Sequence, residues 1–217
     1  MVVAIGDKAP NLKVMKWVQG LPTNIDREKD KVILIEVFQV NCPGCFLYGL
    51  PEAIRIYNTY KNDDVRVLAL ATAFEDFDKN TLENLELLVR DGIVIGETER
   101  SLREHGLLRN GKLPYKIPFP VAMDMLVKSS NISKEDIIEF IKLHVPDYAS
   151  YSNEEQRILF ERVSEYLKRR VYTPLTFDEY GLNGTPSSII IDREGIVRHI
   201  SFGFDNTLEY IISSLLK

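Results

Sequence analysis

The sequence predicts an α/β fold in which helices flank a central mixed β-sheet. Two apolar runs rich in β-branched residues, KVILIEVF (31–38) and DVRVLALAT (64–72), bracket a stretch with helical spacing, PGCFLYGLPEAIRIYNTY (43–60). Runs of that kind form buried parallel strands, and the helix between them makes a right-handed crossover. Near the other end, SSIIID (187–192), DREG (192–195) and IVRHISF (196–202) give an apolar strand, a polar turn with glycine and a second strand, which is an antiparallel hairpin. Parallel and antiparallel strands in one chain of 217 residues, a length suited to a single generous core, predict one mixed sheet.

The elements follow in order. In the first helix Leu47, Leu50, Ile54 and Tyr57 fall on one side, and Pro51 should kink it by removing a backbone donor. A second helix is predicted over NTLENLELLVRDG (80–92), capped by Asn80 and ended by Gly92. ETERSLREHGLL (97–108) carries a short helix, and FPVAMD (119–124) a third strand. Residues 125–180 form a helical insertion within a single domain spanning 1–217. Its first helix, SKEDIIEFIKLH (133–144), opens with Ser133 as cap and Asp136 three positions on, and stops before Pro146. Its second, SNEEQRILFERVSEYLKRR (152–170), opens with Ser152 and Glu155 as a capping box and buries Leu159, Val163, Tyr166 and Leu167. The insertion is either a cap over the sheet or a surface near the chemistry that selects partners. In the second case Tyr148 and Tyr151 at its inter-helix turn are the first residues to test. A capped amphipathic helix over 205–217 closes the chain.

The formal charge of −5 argues against a general nucleic-acid binder, which needs a clustered basic excess. The one basic cluster, KRR at 168–170, complements the C-terminal end of a helix dipole. No apolar run approaches the roughly 20 residues that span a bilayer, and no signal-peptide pattern opens the sequence. A cytoplasmic location is expected; an anchor or signal lying outside this sequence would make it extracytoplasmic.

The chain has two cysteines, and both lie in VNCPGCF (40–46). Cys42 falls at the end of a strand and the start of a helix, where orphan N–H groups and the helix dipole favour negative charge. Such a position lowers a cysteine pKa from about 8.5 into a range of about 3.5–7.5. Cys45 follows one turn later and can displace whatever Cys42 captures. Pro43 suits a first helical turn, and Gly44 leaves the approach to Cys42 open. Other assignments stay open on spacing alone. These are a zinc site shared between two copies, a pair of inert buried thiols, and a static disulfide. Four ligands are needed for structural zinc, whereas His105, His144 and His199 are scattered singly, so no metal is expected.

Three features together resemble the thioredoxin-like superfamily, and within it the TlpA-type and AhpC/TSA-type redoxins. They are NCPGC between a buried strand and a proline-containing helix, YGLNGTPSSIIIDREGIV (180–197), and the opening IGDKAPNLKV (5–14). The match covers 5–72, about 119–124 and 180–217, and leaves out 125–179. The resemblance implies a thioredoxin-like fold with a helical insertion before a cis-proline hairpin. It implies that Cys42 is the exposed nucleophile, that Cys45 is the resolving thiol, and that Pro186 is a cis-proline facing them. Thr185 would offer backbone groups to an extended substrate. Glu36, six positions before Cys42, matches the family's buried acid and would take a proton from Cys45. Otherwise it would point to a solvated sheet edge. The sequence departs from the family at Asn41, where a tryptophan is usual, and at Pro51, six residues after Cys45 instead of five. The one tryptophan, Trp17, lies far from the motif.

The implied function is thiol–disulfide exchange on disulfide-containing proteins, reduced in turn by an external thiol system and needing no cofactor. Two other classes remain open. A peroxiredoxin-like peroxidase would send Cys42 through a sulfenic acid, but that family's threonine three positions earlier is here Gln39. A non-enzymatic binding module would use the scaffold and leave the thiols incidental.

Overall fold

The computed structural model describes residues 2–129 and 132–217; positions 1, 130 and 131 of the predicted domain and insertion lie outside the described residues. Its centre is a six-stranded mixed sheet in the order β1-β4-β3-β2-β7-β8. The strands are β1 (Val14–Gln19), β2 (Val32–Phe38), β3 (Val65–Ala71), β4 (Val121–Asp124), β7 (Ser187–Ile191) and β8 (Val197–Phe202). β2, β3 and β4 run parallel, whereas β7 joins β2 antiparallel and β8 completes the hairpin. The turn of that hairpin is held by Asp192, whose side chain accepts from the N–H groups of Glu194 and Ile196, with Gly195 at φ 76°.

Each face of β2 has its own core, because side chains alternate along a strand. Leu34 and Phe38 pack with Leu50, Ala53 and Ile56 of α1 (Leu50–Tyr60), with α2 (Leu82–Asp91) and α3 (Gly96–Glu104), and with α7 (Leu208–Leu215). Ile33, Ile35 and Val37 pack on the other face with Ala9, Leu12, Phe177 and Tyr180. That face is covered by the N-terminal segment and by the short α6 (Leu175–Glu179). The two are tied together where the Tyr180 hydroxyl donates to the Pro10 carbonyl at 2.7 Å.

Several expectations change in detail. Thr81, not Asn80, caps α2, accepting from the Asn84 N–H. Asn80 is instead buried, and it receives the backbone N–H of Asn41 at 2.8 Å. The last helix has no side-chain cap at its N-cap Thr207; Asp205 accepts from that residue's N–H and from His199 instead. Ahead of Pro51 the first helix changes its winding. The chain winds as a π-helix over Cys45–Gly49, with Leu50 N–H donating to Cys45 O, and runs on without a break as α1, which carries Pro51. A π-turn takes one more residue than an α-turn, so it absorbs the extra residue between Cys45 and Pro51.

Within 125–180, β5 (Leu126–Lys128) and β6 (Tyr172–Pro174) form a two-stranded sheet that closes the base of the segment. Between them α4 (Lys134–His144) and α5 (Asn153–Arg169) pack on each other around Ile137, Ile141 and Leu167. The predicted capping box of Ser152 with Glu155 is present, and Ser133 with Asp136 closes as one too. Tyr148 is half-buried against this small core and Tyr151 is exposed. Tyr166, expected in the buried stripe, is 42% exposed, because it lies at the edge of that core, against Phe140 of α4 and facing a cleft. Asp124 anchors the chain's return: buried at the end of β4, it accepts from the N–H groups of Thr176 and Phe177 and from the Thr72 hydroxyl. Burial pushes its pKa up, opposed by those hydrogen bonds.

Candidate active site

β2 ends at Phe38, and the chain turns through Asn41 before the helical winding begins at Pro43. Cys42 therefore sits at the mouth of the helix, partly exposed, while Cys45 points inward and is fully buried. The two are joined as a disulfide with their Cα atoms 5.4 Å apart, a separation within the ordinary range. The Cys45 N–H donates to Cys42 Sγ at 3.3 Å. A donor in that place favours negative charge on the sulfur once the bond is reduced.

Thr185–Pro186 is a cis peptide, and it brings the Thr185 carbonyl oxygen to 3.5 Å from Cys42 Sγ. Pro186 packs over Gly44 and Gly49 of the cysteine helix. Its own carbonyl accepts from Gly203 N–H at 2.8 Å, which fixes the proline loop to the end of β8.

Glu36 lies beneath. β2 is an interior strand, so the alternative of a solvated sheet edge is overturned: the side chain is 1% exposed and faces the helix that carries the cysteines. Ser188, directly opposite on β7, donates its hydroxyl to Glu36 Oε2 at 2.7 Å. Oε1 has no partner, and burial raises the carboxyl pKa to about 8. Desolvation dominates because the charged form would lie in hydrocarbon with one neutral donor.

Two glycines in this helix have opposite tolerances. A Cβ on Gly49 would fall within contact of Glu36 Oε1 and 2.6 Å from Pro186 Cβ. A Cβ on Gly44 would meet only Pro186 Cδ, at an ordinary 3.6 Å. Both residues have helical φ and ψ, so space alone separates them. Gly49→Ala is expected to cost about 1–3 kcal/mol through overpacking, whereas Gly44→Ala should be neutral or gain up to about 1 kcal/mol from reduced backbone entropy. Urea unfolding of the two variants checks the contrast.

Sequence reasoning marked Gln39 and Asn41 only as departures from family patterns, and it missed Ser188. Gln39 receives the Thr185 hydroxyl at 3.1 Å and donates to the Glu75 carbonyl at 3.3 Å, holding the proline loop at its height. Asn41, in the place of a tryptophan, is turned inward, donating to Asp76 at 2.7 Å and accepting from Glu97 N–H at the start of α3. Gly96 leaves room for it, since a Cβ there would collide with Asn41 Oδ1. Ser188 could have been found only from the β2–β7 register, which no local pattern carries. Exposed aromatics stand on the flank of the site: Tyr48 beside Cys45 in the π-helical turn, packed on Phe204 with centroids 5.9 Å apart, and Phe202 against Gly184. Among the described residues no group of three or more His, Cys, Asp or Glu is placed to hold a metal ion.

No family model matches the sequence, and no curated protein matches it. Solved structures do. A thiol–disulfide isomerase from Corynebacterium glutamicum aligns over 98% of this chain and 97% of its own, at 27% identity and a TM-score of 0.59. A protein described as belonging to the thioredoxin-like superfamily aligns over the same shares, at 25% identity and a TM-score of 0.59. An uncharacterised conserved protein from Geobacillus kaustophilus shares the fold at 14% identity and a TM-score of 0.53, over 99% of this chain and 83% of its own. The first two alignments span 125–179, which the sequence motifs leave out.

Proposed function

We propose that this member of the thioredoxin-like superfamily, a thiol–disulfide oxidoreductase, reduces disulfides in polypeptide substrates. The observation that carries the reading is the asymmetry of the pair: Cys42 partly exposed beside the Thr185 carbonyl, Cys45 buried one turn behind it. We take residues 1–217 as one domain with 125–180 inserted.

In the reduced protein the Cys42 thiolate attacks one sulfur of the substrate disulfide. A mixed disulfide forms and the first substrate thiolate leaves. Cys45 gives up its proton and attacks Cys42 Sγ, releasing the second substrate thiolate. Two electrons pass to the substrate, and Cys42 and Cys45 finish as a disulfide. An external dithiol returns the electrons. Glu36 is the proton acceptor for Cys45, because its raised pKa of about 8 lets it hold and release a proton near neutral pH. Thr185 offers an extended substrate a strand edge, Pro43 and Gly44 leave the nucleophile accessible, and Pro186 shields the pair from the side. The exposed Tyr48, Phe202 and Phe204 fit a polypeptide better than a small oxidant, since a peroxide needs no apolar surface. The direction of exchange follows the compartment: reduction in a reducing one, oxidation or isomerisation outside it. Among the described residues no helix is long and apolar enough to cross a membrane.

Insulin-disulfide reduction tests the reading against hydrogen peroxide consumption, both with an excess of a recycling dithiol. Insulin turnover is expected, with peroxide consumed no faster than by an ordinary free thiol. The reverse result would establish the peroxidase. Gln39 argues against it, because a buried amide engaged by Thr185 and Glu75 stands where the hydroxyl of that family would act on the peroxide.

A further inference from the structure

Beyond Thr185 the helical insertion and the body of the domain enclose a cleft of about 320 Å³. Its walls are aromatic. Phe74 stacks on Phe177 with centroids 4.6 Å apart, and Phe140 lies against Tyr166 at 6.0 Å. Arg170, buried, is matched there by Asp178, its Nη2 standing 2.9 Å from each carboxylate oxygen. The remaining carboxylate is that of Glu75 at the rim. It is exposed and makes no ion pair among the described residues, and Asp76 follows it in the chain. Arg170 lies over the Tyr166 ring at 6.0 Å and His144 against Phe140 at 4.3 Å, so the cleft joins the Phe74 and Phe177 pair and these partly engaged rings to one unmatched carboxylate. That is the environment that attracts a side chain with an apolar stem and a cationic head.

The cleft is joined to the redox site through shared residues. Asn183, two positions before Thr185, lines it and accepts through Oδ1 from His144 Nδ1 at 2.8 Å. Gln39 bonds Thr185 with one end and the Glu75 carbonyl with the other. A chain paired to Thr185 advances about 3.3 Å per residue, so a residue about two positions from the substrate cysteine reaches the mouth.

We propose that this cleft is a specificity pocket for a lysine or arginine side chain about two residues from the substrate's disulfide cysteine, with Glu75 receiving the charge. The proposal rests on Cys42 and Thr185 being the substrate site. The insertion then sets substrate choice by supplying three of the pocket's four aromatic side chains, Phe140, Tyr166 and Phe177, and the chemistry stays with the cysteines.

The test uses the full-length protein and peptide disulfides that differ only in carrying Lys, Ala, Phe or Glu two positions to either side of the cysteine. For wild type, kcat/KM is expected to run about 5–10-fold higher for Lys than for Glu, with Ala between, and the ratio should shrink in high salt. Glu75→Gln should compress the Lys-to-Glu ratio to within about 2-fold, and Glu75→Arg should reverse the order. Equal rates for Lys and Glu, a preference that survives Glu75→Gln, or Phe preferred to Lys would each overturn the pocket while insulin reduction continued. If neither insulin nor any peptide is reduced, the redox reading fails and the pocket fails with it.

Discussion

Cys42→Ser brings disulfide reduction down to the rate of the recycling dithiol alone, whereas Cys45→Ser stops turnover after one step and accumulates a covalent adduct with substrate. Both results follow from position. Cys42 sits at the head of a helix with the Cys45 N–H 3.3 Å from its sulfur and the Thr185 carbonyl at 3.5 Å, and a substrate can reach it. Serine in that place keeps the shape and loses the nucleophile, since a hydroxyl stays protonated where a thiol ionises. Cys45 is fully buried and cannot meet a large substrate directly. Its removal leaves the first attack intact and deletes the second, so the mixed disulfide persists until external thiol cleaves it. Intact-mass measurement after mixing with substrate reads the adduct, and dithiothreitol should remove it. Alkylation of the reduced protein gives an independent check: iodoacetamide should modify Cys42 well before Cys45. Equal labelling of the two sulfurs would remove the asymmetry on which the assigned roles depend.

The parts of the fold that were legible in advance are those whose signal is local. The apolar runs at 31–38, 64–72 and 187–192 can only be interior strands, and the capping boxes at Ser133 and Ser152 need four adjacent residues. β1 escaped because its pairing with β4 shifts register between Val14 and Lys16 and again between Trp17 and Gln19, which breaks the alternation that marks a strand. β5, β6 and α6 are three to five residues long, too short for any periodicity. In the site, the spacing of Cys42 and Cys45 and the Thr185–Pro186 dipeptide could be read directly. The partners that complete it could not, because they are contacts of long range. Ser188 reaches Glu36 across 152 positions and Gln39 reaches Thr185 across 146. Asn41 shows the cost of reading by family pattern: the missing tryptophan looks like a lost surface residue, while the asparagine is an inward anchor that ties the cysteine turn to α3.

Glu36→Gln separates burial from chemistry at the same residue. The amide keeps the size of the side chain and can keep the Ser188 hydrogen bond, but it cannot titrate. In the wild type the carboxyl's pKa is raised from 4.5 to about 8, so between those values the unfolded chain is ionised there while the folded one holds the proton. The sign follows from linkage: the folded state binds more protons, so this residue's contribution is fully present below about pH 4.5, is lost as pH rises toward 8, and is flat beyond. Glu36→Gln should abolish that slope and be more stable than wild type at pH 8, by something on the order of a few kcal/mol. Chemical denaturation at pH 5 and pH 8 reads it. The kinetic consequence runs the other way. Without a proton acceptor, Cys45 attacks the mixed disulfide slowly at neutral pH, by a factor of about 10² at the low end of what a positioned base contributes. The deficit should narrow in alkaline buffer, where hydroxide removes the thiol proton unaided. Rapid mixing of reduced protein with substrate resolves the two steps, and only the second should slow. If the stability slope vanishes while resolution keeps its rate, Glu36 is a buried acid that the reaction does not use, and the proton from Cys45 leaves by water.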